Sequence, residues 1–165
     1  MKSNLVGQLA DRARSAALEY PPISRPEVAE VETRLGFSLP TTLHQIYSGI
    51  ANGGFGPGYK IIGLVGGMPL DTGHSAVDIY EAFLRPDPED PGWGWPQGLL
   101  PICHWGCGIY SCVECVVSGN PVVRFDPNGH GPGTPWGTAF EPEAPSLDDW
   151  LQRWLDDDLP FRPAK

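Results

Sequence analysis

A helix-spaced apolar run, Leu43, Ile46, Tyr47 and Ile50, stops at Asn52-Gly-Gly-Phe-Gly-Pro-Gly58, and a second apolar run, Tyr59-Lys-Ile-Ile-Gly-Leu64, leaves on the other side. That order constrains the fold. Phosphate-cradling loops need a strand that feeds a glycine turn and then opens a helix, so that free N–H groups and the positive dipole end face the anion. Here a helix enters and a strand is expected to leave, which offers carbonyls instead. Gly54-Phe-Gly56-Pro-Gly58 also lacks the spacing of G-x-G-x-x-G and of G-x-x-x-x-G-K-[ST]. The glycines therefore read as a helix stop and tight reversal, with Phe55 tucked beneath the turn as a core anchor.

Around this bend the helix signals lie mostly upstream. Leu5, Leu9, Ala13, Ala16 and Ala17 share one stripe of an N-terminal helix that Tyr20-Pro21-Pro22 is expected to end. Ser24-Arg-Pro-Glu27 has the form of a capping box ahead of Val28, Val31 and Leu35, and Gly36 closes that helix. Leu39-Pro40 opens a third helix, for which Asn52-Gly53 is a left-handed stop. Downstream, Ser75 to Leu84 reads as a short helix with Val77, Tyr80 and Leu84 inward. Leu99 to Trp105, Gly108 to Val117 and Val122 to Asp126 are β-rich runs, with Ser118-Gly-Asn-Pro121 as a hairpin connection and a last strand near Thr138 to Phe140. Ser146 caps a final helix carrying Leu147, Trp150, Leu151, Trp154 and Leu155. Helices in front and strands behind indicate an α+β fold: N-terminal helices packed on a mainly antiparallel β-sheet, with a C-terminal helix. The 165 residues suit one domain over 1–165, with residues 1–22 as a helical extension.

The chain carries a net charge of −9, and Lys and Arg balance Asp and Glu up to Arg34, so the excess of acids lies beyond it. Nucleic acid, whose affinity comes from Lys and Arg displacing counterions, is excluded as an expected partner; a basic protein would be steered toward such a surface. The start lacks the apolar core of a signal peptide, being cut by Asp11, Arg12 and Arg14, and no apolar stretch approaches the ~20 residues that span a bilayer. A cytoplasmic protein with reduced cysteines and no membrane partner is expected.

The sharpest rival signal is Cys103, Cys107, Cys112 and Cys115, with His104 between. Four thiolates can hold zinc, and part of the spacing copies an iron–sulfur pattern. A continuous strand from Gly108 to Val117 would send Cys112 and Cys115 to opposite faces, whereas a turn near Tyr110-Ser111 would permit a knuckle. Small buried hydrophobes are the favoured role, with a metal site or thiol enzyme as the rival. The histidines show no ligand spacing, and Asp126-Pro-Asn-Gly-His130 reads as a turn. Neither a catalytic constellation nor a cofactor is indicated. Trp150, Trp154 and Trp105 read as core. Trp93 and Trp95, in a Pro/Gly loop behind Asp87, Glu89 and Asp90, fit either an exposed aromatic anchor with acidic flanks or a lid folded onto the sheet. The acids from Glu141 to Asp158 read mostly as a solvated helix face.

Leu39-Pro-x-x-Leu43, Ile46-Tyr47, Ala51-Asn-Gly-Gly-Phe-Gly-Pro-Gly-Tyr59 and Ile62-Gly-Leu64 together resemble the Smi/Knr branch of the SUKH superfamily. Leu100-Pro-Ile-Cys-His-Trp-Gly-Cys-Gly-Ile-Tyr-Ser-Cys-Val-Glu-Cys115, Arg124-Phe-Asp-Pro-Asn128, Ala139-Phe140, Ala144-Pro-Ser-Leu147 and Trp150-Leu151 resemble a bacterial subset of it. The likeness covers roughly residues 24 to 155. It implies a non-enzymatic α+β protein-binding domain, either an immunity protein against a polymorphic toxin of nuclease or deaminase type, or a general regulatory interaction module. Asp87, Glu89, Asp90, Trp93, Trp95 and Glu143 are the expected contacts, in a monomer or weak dimer, with acids imitating the toxin's nucleic-acid ligand.

Overall fold

The computed structural model describes residues 4–159. Among them the order is α1 (Leu5–Arg14), α2 (Arg25–Leu35), α3 (Thr41–Gly49), α4 (Ala76–Leu84), β1 (Leu99–His104), β2 (Tyr110–Glu114), β3 (Val122–Phe125), β4 (Phe140–Ala144) and α5 (Leu147–Leu155), with short 3-10 turns at Pro127–Gly129 and Trp136–Ala139. The strands form one antiparallel sheet in the order β1-β2-β3-β4. The α+β arrangement is the one expected.

The helices begin and end where local chemistry dictates. Ser24 accepts from the Glu27 N–H while the Glu27 carboxylate takes the Ser24 N–H, and Gly36, at φ 86°, stops α2. Ser75 and Asp78 form the same reciprocal cap on α4. Val28, Val31 and Leu35 are buried, as are Leu43, Ile46 and Tyr47 on α3. α1 is shorter than expected: it stops at Arg14, well before the prolines, although Leu9 and Ala13 are buried against α5 and α3. Leu84 is a second departure, 40% exposed, because Ala76, Val77, Ile79 and Tyr80 already fill the inner face of α4.

The glycine segment is a reversal locked from inside. Phe55 is buried and 6.3 Å from the Trp154 ring, as expected of an anchor. In the expected Asn52-Gly53 stop it is Gly53 that is left-handed, at φ 79°; Asn52 is buried, its Oδ1 accepts from the Leu64 N–H at 2.8 Å, and its backbone carbonyl takes the Met68 N–H at 3.0 Å. The chain passes so close that a Cβ on Gly53, already at φ 79°, would lie 2.6 Å from the Ile61 carbonyl oxygen, and one on Gly67 would lie 2.4 Å from Asn52. The strand expected over Tyr59 to Leu64 is reduced to a single bridge, Ile61 to Cys103, with Tyr59 and Ile62 donating to His104 and Ile102. Lys60 at φ 77° breaks the ladder on either side.

β1 and β2 lack the alternation of a half-exposed sheet: Leu99 through Cys103 and Tyr110 through Val113 are all buried. Both faces of this half are covered, one by α4, whose Phe83 ring lies 5.6 Å from Tyr110, the other by α5 through Trp150. β3 and β4 are more open. The last strand begins at Phe140, where the expected Thr138 to Phe140 segment ends, because Trp136–Ala139 coils into a 3-10 turn.

Arg34 ties α2 to α4: its Nε and Nη2 donate to the two oxygens of Glu81 at 2.6 and 2.8 Å, and Nη2 also reaches Asp78 at 2.9 Å. The Arg34 hydrogen bond holds the Glu81 carboxyl below its ordinary 4.5, and the Ser75 backbone N–H, aided by Arg34, holds Asp78 below 3.8. Depressed folded-state values stabilise above the ordinary carboxylate range and are lost as pH falls through them. Arg34→Met should therefore cost up to about 1 kcal/mol at pH 7, the group being partly exposed, and almost nothing at pH 2. Urea midpoints at the two pH values test this; an undiminished cost in acid would show that the link is not ionic.

Candidate functional site

The Pro/Gly/Trp loop after α4 folds onto the open end of the sheet, which decides between the two arrangements its sequence allows. Pairing across the strands puts Tyr110 beside Phe125 and Phe125 beside Phe140 on one face. Trp95 packs there, 5.0 Å from Phe125, 5.3 Å from Phe140 and 4.6 Å from Phe83. Trp93 closes over Phe125 at 6.1 Å and meets Trp136 edge-on at 4.8 Å. Each indole N–H is satisfied: Trp93 donates to the Phe83 carbonyl at 3.0 Å, Trp95 to the Leu99 carbonyl at 2.8 Å, and Trp136 to Asp90 Oδ2 at 2.8 Å. That last bond joins the loop before β1 to the loop before β4. His130 stacks on the far side of Trp136, 3.6 Å between centroids and 8° from parallel.

Between these loops lies a recess of about 1140 Å³ lined by Glu89, Asp90, Trp95, His130, Trp136 and Phe140 among others. A second recess of about 630 Å³, lined by Leu99, Glu114, Val122, Val123, Pro142 and Glu143 among others, continues along the sheet. Pro96 and Phe140 line both. Among the described residues, neither wall contains a Lys or an Arg.

The expected contact residues separate on this geometry. Asp87 and Glu89 are exposed at the tip of a small turn in which Asp87 Oδ1 accepts from the Glu89 N–H at 2.9 Å. Asp90, half-buried, is a structural acceptor for Trp136 as well as a groove wall. Trp93 is half-buried in the lid, and Trp95, only 7% exposed, is no protruding anchor because the sheet face takes its ring. Glu143 departs furthest from the solvated reading. It is 8% exposed, and its carboxylate accepts from Ser111 Oγ at 2.7 Å and Trp150 Nε1 at 3.1 Å, while Trp105 Nε1 donates to the same Ser111 oxygen at 2.8 Å. Placing the last strand too early left Glu143 outside it. A serine within the apolar run Tyr110 to Val113 was the signal that a buried polar partner had to exist. His130, Trp136 and Phe140 were missed as groove residues; Trp136 sits in a Gly/Pro loop much like that of Trp93 and Trp95, and that composition was the available clue.

Among the described residues, no three His, Cys, Asp or Glu side chains gather as a metal site. Cys103 and Cys112 are buried, as expected of small hydrophobes, and burial pushes both thiols well up. Cys115 is pushed up to about 12 by burial. Cys107 departs from that reading: it is exposed, in a turn at φ 53°.

Removing the Glu143 acceptor by Glu143→Ala should cost roughly 2–4 kcal/mol, since buried Ser111 and Trp150 donors are left unpaired, and Glu143→Gln should recover at least about 1 kcal/mol of it. Urea unfolding of both variants checks this, and an alanine variant within about 0.5 kcal/mol of the parent would refute it. A thiol reagent at pH 8 should modify Cys107 fast in the folded chain and all four cysteines only in denaturant, with the fast phase absent in Cys107→Ser. A second fast thiol would contradict the burial described.

No helix among the described residues is long and apolar enough to cross a membrane. No curated protein is similar enough to match the chain. The SMI1 / KNR4 family (SUKH-1) matches residues 22–153, which contain α2 through β4 and nearly all of α5. At the level of the family this supports protein binding of the immunity-protein type, in a class of domains that are generally non-enzymatic. With most of its length matched, and with the helices, sheet and C-terminal helix in the expected order, the chain belongs to the SMI1 / KNR4 (SUKH-1) family.

Proposed function

We propose that this protein is an immunity protein: it binds a cognate polymorphic toxin in the cytoplasm and neutralises it by covering its active site, without making or breaking a bond itself. The observation that carries the reading is the coincidence of family membership with a groove that has no Lys or Arg among its described lining residues and carries Glu89, exposed, and Asp90, half-buried, on its wall. A toxin that acts on nucleic acid presents a basic active site, and the net charge of −9 steers the two together. Asp87 and Glu89, free of any role in packing the lid, are the acids placed to meet that site first. Asp90 is less suited to a test by substitution, since it also holds Trp136.

Coexpression with the product of the adjacent gene tests the proposal. The expected result is a stable complex and survival of cells that the neighbour alone kills; a neighbour that is harmless by itself and does not associate would refute it. Within such a complex, Asp87→Lys combined with Glu89→Lys should slow association on the order of tenfold at low salt and flatten its salt dependence, with little change in dissociation. Stopped-flow fluorescence reads both rates, and an unchanged association rate would remove these acids from the encounter.

A further inference from the structure

The recess between the two loops and the one over β3 and β4 adjoin at Pro96 and Phe140, which line both, as a two-part channel across the open half of the sheet. Its ends differ in chemistry. Glu89 and Asp90 line one end, while Val123, Pro142 and Pro145 line the other together with Glu114 and with Glu143, whose carboxylate is taken up by Ser111 and Trp150. An anion finds no Lys or Arg in either wall among the described residues. For a base or sugar ring the aromatic surface is reduced: one face of Trp136 is covered by His130, its N–H is held by Asp90, and Trp95 is buried. A second copy of the chain would bring another net −9 to an acidic rim. What remains complementary is a positive charge joined to an apolar group.

We infer that this channel is the docking site for an extended, cationic segment of the partner protein, with an Arg or Lys side chain between Glu89 and Asp90 and an aliphatic side chain against Val123 and Pro142. The inference rests on the binding role proposed above and adds where the partner sits and what chemistry it brings. Asp90 serves twice: its Oδ2 fixes Trp136, which shapes the wall, and its negative charge faces the recess. Recognition by carboxylates favours a guanidinium or ammonium group, and the aliphatic end sets the direction in which the segment lies.

The probe is a blocked pentapeptide, acetyl-Arg-Ala-Leu-Ala-Leu-amide, beside its counterpart with Glu in place of Arg, each titrated into the full chain and followed by amide chemical shifts. The Arg peptide should move amides in 92–95, 122–123 and 131–137, and the Glu peptide should bind at least about tenfold more weakly. Glu89→Lys should weaken the Arg peptide on the order of tenfold and abolish the preference, and Val123→Lys should weaken both peptides. Equal affinity for the two peptides, or shifts confined to other surfaces, would overturn the channel. Hydrogen exchange on the unsubstituted chain in complex with the adjacent-gene product separates the two levels. A complex that leaves 89–96 and 122–123 unprotected removes the channel and keeps the binding role. If no complex forms, the binding role falls and the peptide titration alone decides the channel.

Discussion

Burial of β1 and β2 on both faces is the constraint from which the rest of this structure follows. Tyr110 and Cys112 alternate along β2 with Ser111 and Val113, and all four are shielded from water. A strand in that position needs two separate coverings. One comes from α5, through Trp150 and the buried Glu143–Ser111–Trp105 network. The other combines α4 with a segment that has no regular structure, the Trp93 to Trp95 lid. Aromatic rings suit such a cover: a few residues bury a large area, and their N–H groups find the carbonyls and the carboxylate that the loop itself supplies.

The lid ends before the sheet does, and that mismatch creates the channel. β3 and β4 keep Val123, Arg124, Glu141 and Pro142 partly or fully exposed. Where coverage stops, a concave strip of sheet remains between two Gly/Pro loops, pinned to each other by Trp136 and Asp90. The same rings that finish the core thus form the wall of the surface suited to binding. Preorganisation of this kind lowers the ordering cost of association, since the groove is held by bonds internal to the protein.

Much of the scaffold was readable in advance because its signals are local. Ser24 with Glu27, Gly36 and Ser146 mark helix ends through hydrogen bonds made within a turn or so of chain, and Val28, Val31 and Leu35 repeat at the helical period. Phe55 could be assigned to the core because a large ring in a tight reversal has few other places to go. The acidic loop stood out by its composition, and in the structure Asp87 and Glu89 are exposed beside a recess or on its wall. Trp95 was left between an exposed anchor and a lid on the sheet, and Glu143 was expected at the surface, for one shared reason. Whether an aromatic or a carboxylate faces water depends on what lies across from it, and those partners, Phe125 and Phe140 for one, Ser111 and Trp150 for the other, come from distant parts of the chain.

By itself, then, the sequence determined the order of helices and strands, the capped helix ends, the non-phosphate character of the glycine bend and the excess of negative charge. These depend on backbone propensity, on hydrogen bonds within a few residues, and on composition. Only the tertiary structure decided that Asn52 staples the bend, that Lys60 cuts the expected strand to one bridge, that Glu143 is an interior acceptor, and that two loops meet through Trp136 and Asp90 to leave a channel over β3 and β4. Each of the last two outcomes is a contact across 32 or 46 residues. Its energy comes from desolvation and close packing, which no single stretch of chain can specify alone.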